Sequence, residues 1–153
     1  MPASPARLVA SDPPIVRALT AGGLYFLIAL GTGFALGVVR ELLVAPRLTS
    51  DLAVVLETPV MAVAVWFAAG FAVRRLHVPA GFGLRLAMGA LALALLLGAE
   101  ALLSQALRGE SLLGRWALYG YFAAAANLGG LSWFTFAPLC IAPPDAAGSP
   151  LHA

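Results

Sequence analysis

The chain has 153 residues, of which 61% are hydrophobic and 10% charged, and its formal net charge at pH 7 is +2. A soluble domain of this length could not bury so much apolar side chain, so the composition predicts an integral membrane protein. The nine basic residues are all arginine and lie scattered along the chain, which excludes a basic run able to bind nucleic acid.

Four long apolar segments follow one another along the chain. They predict helices over residues 15–44, 51–73, 84–107 and 115–141, between a proline-rich disordered tail over 1–14 and a second disordered tail over 142–153. Pro46 ends the first helix, and Pro79 with its neighbouring glycines turns the chain after the second. Each helix has the roughly 20 residues needed to cross about 30 Å of hydrocarbon. The sequence therefore predicts an all-α fold, an integral membrane bundle of four transmembrane helices.

The arginines predict an orientation. Four spans place both termini on one side of the membrane, and that side carries five arginines: Arg7, Arg17, Arg74, Arg75 and Arg85. The opposite side carries three, or four if Arg40 is counted as a loop residue. Because basic residues accumulate in cytoplasmic loops, both termini are predicted to be cytoplasmic. Abundant Ala, Gly and Leu, with arginine as the sole basic residue type, suggest a GC-rich bacterial genome and hence a bacterial inner membrane.

Charged side chains within the apolar segments form the strongest functional signal. A charge near the bilayer centre costs about 2.5–3.5 kcal/mol, so such residues are usually paired or functional. Arg40 and Glu41 fall near the outer end of the first helix, and Glu57 lies near the outer start of the second. Glu100 lies about two turns before the outer end of the third. Adding polar residues at the same depth predicts a cluster in one leaflet: Arg40, Glu41, Glu57, Glu100, Ser104, Tyr119 and Asn127.

Helical spacing indicates how this region is expected to pack. Gly33, Gly37 and Arg40 share one helix face, and the Gly-x-x-x-Gly pair predicts the close approach of another helix. Arg40 is therefore expected to face protein rather than lipid. In the second helix, Pro59 has no N–H to donate to the Val55 carbonyl, so a kink there is expected to open a small polar pocket beside the cluster.

Two interpretations of the cluster remain open. In the structural one, Arg40 and Glu41 reach the membrane interface, and Glu57 interacts favourably with the dipole of its helix. Glu100 then pairs with Arg40 and holds the bundle together. In the other, three carboxylates face one arginine, so an uncompensated glutamate is expected to bind a proton, as a proton-coupled carrier requires.

The leading hypothesis is a non-enzymatic accessory or interaction protein whose cluster is structural. Its predicted partners are the lipid bilayer and a second copy or another membrane protein, with no nucleic acid. The alternative is a small proton-coupled transporter or carrier that uses Glu57 or Glu100, and an enzyme acting on lipid or isoprenoid comes third. No catalytic, cofactor or metal site is predicted, because His77 and His152 lie outside the spans and Cys140 is the only cysteine.

The run from Gly33 to Arg40, followed by Pro46, Arg47, residues 57–61 (ETPVM) and Trp66, resembles a pattern found in short, uncharacterised bacterial four-helix inner-membrane proteins. The resemblance covers roughly the first three helices. It implies a four-span topology and points to Arg40 and residue 57 as positions to test. It implies no activity, because none is assigned to such proteins.

Overall fold

The computed structural model describes residues 12–40, 42, 50–109 and 111–142. In chain order they form helices α1 (Pro14–Val39), α2 (Ser50–Arg75), α3 (Phe82–Arg108), α4 (Leu112–Trp116) and α5 (Tyr121–Phe136), and a 3-10 turn over Ala137–Cys140. The described residues contain no strand, so the all-α prediction is confirmed. The two predicted tails lie almost wholly outside the described residues.

Local sequence explains where the helices begin and end. α1 starts at Pro14. Because the N–H groups of a first helical turn have no acceptor within the helix, a proline there costs no hydrogen bond. α2 ends in a Schellman motif, in which the Val78 N–H donates to the Val73 carbonyl (3.0 Å) and His77 has a left-handed φ of 50°. α3 ends at Gly109, whose φ of 66° lets its N–H return to the last turn. Short breaks of this kind turn the chain back, so successive long helices run antiparallel.

Three helical segments are long and apolar enough to cross a membrane: Pro14–Val39, Val55–Arg75 and Phe82–Ala106. The start of α1 and both ends of α2 and α3 agree with the predicted helices to within two residues. α1 itself ends at Val39, five residues before the predicted end, and residues 43–44 of the prediction lie outside the described part of the chain. The fourth predicted helix, over 115–141, is instead divided. Gly120 is extended (φ −63°, ψ 164°) between α4 and α5, and the 3-10 turn follows α5. α5 alone therefore has 16 residues, fewer than the roughly 20 of a typical span.

The long helices form one bundle in which α1 and α5 each pack against both α2 and α3. The hydrophobic core sits at one end, which we call the packed end: the N-terminal parts of α1 and α3, the C-terminal parts of α2 and α5, and the 3-10 turn. Among the described residues of α1, none beyond Ala29 belongs to this core, so the opposite end is packed less densely. The fully buried apolar side chains among the described residues are Ala18, Ala21, Tyr25, Ala69, Ala72, Val73, Val78, Met88, Ala92, Ala123, Ala137 and Pro138.

Two glycines allow the closest helix contacts at the packed end. A Cβ atom added at Gly22 of α1 would lie 2.8 Å from the carbonyl oxygen of Met88 in α3. One added at Gly89 of α3 would overlap the backbone of Thr135 in α5. Because backbones approach this closely only where a side chain is missing, these two positions set the spacing of α3 from its neighbours.

The side chain of Arg85 is buried at the packed end, with only 2% of the residue exposed. Its Nε donates to the Pro79 carbonyl (2.9 Å) and its Nη2 to the Val78 carbonyl (3.0 Å), both in the loop before α3. Its Nη1 donates to the carbonyls of Pro138 (2.9 Å) and Ile141 (3.3 Å) after α5. This arginine, counted among the loop charges in the prediction of orientation, therefore joins the α2–α3 loop to the C-terminal turn.

A second buried polar group, the hydroxyl of Tyr25, compensates for a proline. Pro138 has no N–H to donate to the carbonyl of Phe134, four residues earlier. The Tyr25 hydroxyl donates to that carbonyl instead (2.9 Å), and the two rings stack with their centroids 4.5 Å apart. The bond links α1 to α5 across the packed end.

Candidate functional site

A cavity of about 560 Å³ lies between α1, α2, α3 and α5 at the end of the bundle opposite the packed end. Glycines help to create it. Among the described residues, no atom lies within 4 Å of a Cβ added at Gly37 or Gly130, and the Met61 methyl group lies 3.7 Å from one added at Gly33. The close helix approach predicted from Gly33 and Gly37 is therefore wrong: these glycines line an open space.

The cavity brings together most of the predicted polar cluster. Six of its seven members line the wall: Arg40, Glu57, Glu100, Ser104, Tyr119 and Asn127. The seventh, Glu41, lies outside the described residues. Axial position along each helix was enough to place these side chains at one level. Their role as a functional site stays a prediction.

An ion pair connects the first two helices at the cavity wall. The Arg40 Nη1 lies 3.2 Å from the Glu57 Oε2, and the two side chains are 31% and 19% exposed. Arg40 directly follows α1, and Glu57 lies two turns into α2, so the pair joins the two helices where they border the cavity. The bond supports a structural contribution, and its position also puts a charged donor and a charged acceptor at the cavity surface.

The hydroxyl of Ser104 differs from other helical hydroxyls in this protein. Thr20, Thr32, Ser132 and Thr135 each donate to the carbonyl four residues earlier, at 2.8–2.9 Å. Ser104 is 2% exposed, yet its oxygen has no hydrogen-bond partner among the described residues. A buried unsatisfied hydroxyl costs about 1–3 kcal/mol, so buried hydroxyls in folded proteins almost always have a hydrogen-bond partner. Ser104 lines the cavity, so a molecule in that space can supply the missing partner.

The deeper wall of the cavity is aromatic and aliphatic. Ala29, Val65 and Phe134 lie there and also belong to the hydrophobic core. Trp133 is held in place from two sides: its Nε1 donates to the Ala62 carbonyl (3.0 Å), and its ring stacks on that of Trp66 with centroids 5.8 Å apart. This wall is therefore rigid and apolar, in contrast to the polar cluster.

The exposed part of the cavity wall is apolar. Of the described lining residues, only four are exposed: Phe34 (68%), Val38 (43%), Leu42 (69%) and Leu103 (43%). The polar lining residues are all half-buried or buried. The cavity therefore presents hydrocarbon at its border and keeps its polar groups inside.

Several of these features could not be found by sequence reasoning. Arg85 and Tyr25 carry buried hydrogen bonds that depend on which carbonyls lie nearby, and the lack of a partner for Ser104 depends on its rotamer.

Comparison of the chain with protein-family models, with curated proteins and with solved structures gives no significant match. The fold and the three apolar helices therefore define the class, a helical membrane protein, and they assign no activity.

Proposed function

We propose that this chain is a four-span protein of the bacterial inner membrane that binds a small molecule in the cavity. The distribution of polarity carries the proposal: a group of polar side chains converges on one part of a space of about 560 Å³ whose other walls are apolar. Small-molecule pockets in proteins measure roughly 300–1,000 Å³ and combine apolar walls with a few placed polar groups.

The geometry of the C-terminal helix supports a fourth span. At 1.5 Å per residue, α5 is about 24 Å long, and the 3-10 turn adds about 8 Å. Together they measure about 32 Å, enough to cross the roughly 30 Å of hydrocarbon. With the termini in the cytoplasm, as the arginines predict, the packed end faces the cytoplasm and the cavity lies in the outer leaflet.

We propose binding rather than catalysis. A serine nucleophile needs a base within hydrogen-bond distance, and the oxygen of Ser104 has no such neighbour among the described residues. A second candidate, the accessory protein with a structural cluster, is favoured by one observation. The Arg40–Glu57 pair links α1 directly to α2, as a cluster with a structural role requires. In that case the partner is a second copy or another membrane protein.

Cavity-filling substitutions test the proposal against matched controls. Gly130 lines the cavity and its neighbour Gly129 does not, and at both positions an added Cβ has open space in the part of the chain that the structure describes. Gly130→Leu therefore fills the cavity, whereas Gly129→Leu adds the same side chain outside it. Native mass spectrometry of protein purified in mild detergent should show a bound small molecule on the wild type and Gly129→Leu, and its loss from Gly130→Leu. Equal spectra for the two variants would contradict the proposal.

Glu57→Gln separates the two candidates, because it removes the charge that pairs with Arg40 and keeps the side-chain shape. If the cluster binds a ligand, the variant loses the bound mass. If the cluster is structural, the free energy of unfolding falls by about 1 kcal/mol, the size of a partly exposed ion pair, and bound mass is unaffected. A proton-coupled carrier would additionally acidify liposomes, and Glu57→Gln or Glu100→Gln would abolish that flux.

A further inference from the structure

The border of the cavity indicates where its ligand comes from. We infer that the ligand is an amphiphile of the lipid phase, with an oxygen-bearing head group and an apolar chain, that enters sideways from the bilayer beside α1 and α3. This inference rests on the proposed binding function and specifies its ligand class.

The route of access follows from the exposed lining residues. Phe34, Val38 and Leu42 belong to α1 and its C-terminal extension, and Leu103 belongs to α3. A mouth that opens to water would leave this apolar surface hydrated, which is unfavourable. The same surface is at no disadvantage against lipid chains. The four side chains therefore suit an opening toward hydrocarbon, through which a membrane-dissolved molecule passes without dehydrating charged groups.

The depth profile matches one leaflet. From Arg40 at the polar part of the wall to Ala29 at the apolar part, α1 rises about 16 Å, which is about half the thickness of the hydrocarbon. A lipid-phase molecule with its head at the level of Arg40 would extend its chain toward Ala29, in the direction that lipids of the same leaflet already take. The head group is therefore expected near Arg40 and the apolar chain near Ala29.

The polar groups define the head. Arg40 carries five N–H donors, and the hydroxyl of Ser104 is buried and lacks a partner among the described residues. Both can donate to oxygen atoms, whereas Glu57 and Glu100 at the same wall disfavour an anion, so a hydroxyl or carbonyl is the matching chemistry. An alkane would leave the Ser104 hydroxyl unsatisfied, and this is why we infer an amphiphile rather than a hydrocarbon.

Quenching of Trp133 by a brominated amphiphile tests the inference. Trp133 lines the cavity, and Trp66→Phe with Trp116→Phe leaves it as the only tryptophan. The protein is placed in phosphatidylcholine vesicles with a lysophosphatidylcholine whose chain carries bromine, which quenches on contact. The expected result is strong quenching, lost for the most part with Gly130→Leu and retained with Gly129→Leu. Acrylamide, a water-soluble quencher, should not distinguish the two variants.

The outcomes separate the inference from the proposed function. If acrylamide quenching depends on Gly130 and bromine quenching does not, the ligand comes from water; the inference is then overturned and the binding function stands. If neither quencher distinguishes the variants and native mass spectrometry finds no bound mass, both fail. Should Gly130→Leu prevent folding, Gly33→Leu, which also fills the cavity, is compared with Gly31→Leu, which points outside it.

Discussion

Replacing Arg85 with methionine removes the guanidinium that joins the α2–α3 loop to the C-terminal turn and leaves an unbranched side chain in its place. The native side chain makes four hydrogen bonds to backbone carbonyls and is almost fully buried. Among the described residues, its partners are backbone carbonyl oxygens and no carboxylate is bonded to it. The substitution therefore tests whether a buried arginine can stabilise a bundle end through backbone acceptors.

The expected change in the free energy of unfolding is the difference between the hydrogen bonds that Arg85 makes and the cost of burying its charge. Hydrogen bonds to a charged group contribute about 1.5–3 kcal/mol each, so four of them amount to at least about 6 kcal/mol. Burying a guanidinium costs several kcal/mol, which offsets roughly half of that. Arg85→Met is thus expected to lower the free energy of unfolding by about 3 kcal/mol. The free energy of unfolding of Arg85→Lys should lie between those of the wild type and Arg85→Met, because an ammonium group has three donors and lacks the planar fork of arginine.

Unfolding by sodium dodecyl sulfate, followed by tryptophan fluorescence, measures this change. Arg75→Met is the matched control, since Arg75 lies at the same end of the bundle and is exposed. The control should unfold like the wild type. If Arg85→Met were as stable as Arg75→Met, the four hydrogen bonds would contribute no net stability, and burial of this charge would have to be explained by something other than the structure of the packed end.

Two further substitutions probe the helix contacts at the packed end. Tyr25→Phe leaves the Phe134 carbonyl without its donor and should lower the free energy of unfolding by about 1–2 kcal/mol in the same assay. Tyr121→Phe, at an 84% exposed position, should have no effect. Equal losses in the two variants would show that the Tyr25 hydroxyl does not compensate for the missing N–H of Pro138. Gly89→Ala forces a methyl group into the backbone of α5 and should lower the melting temperature. Gly98→Ala on the same helix meets no atom within 4 Å in the described structure and should match or exceed the wild type, because alanine favours helix by about 1 kcal/mol. A stable Gly89→Ala would show that α5 can move away from α3 at little cost.

The sequence was sufficient for properties that depend on position along a helix. Apolar length predicts spans because hydrocarbon thickness sets how many residues a helix needs. Depth follows from the rise of 1.5 Å per residue, and so Arg40, Glu57 and Ser104 could be assigned to one level before any contact was known. The observed cavity wall contains all three of these residues.

Contacts between helices were decided only by the tertiary structure. Gly33 and Gly37 form the sequence motif for close packing, yet they border open space, while Gly22 and Gly89, which form no such motif together, are the points of close contact. The helix predicted over 115–141 divides at Gly120, where the backbone is extended. Arg85 turned inward because unpaired carbonyls from two distant segments meet around it. The sequence determines which side chains lie on each face of a helix. Which neighbouring helix each face contacts depends on the simultaneous packing of all the helices.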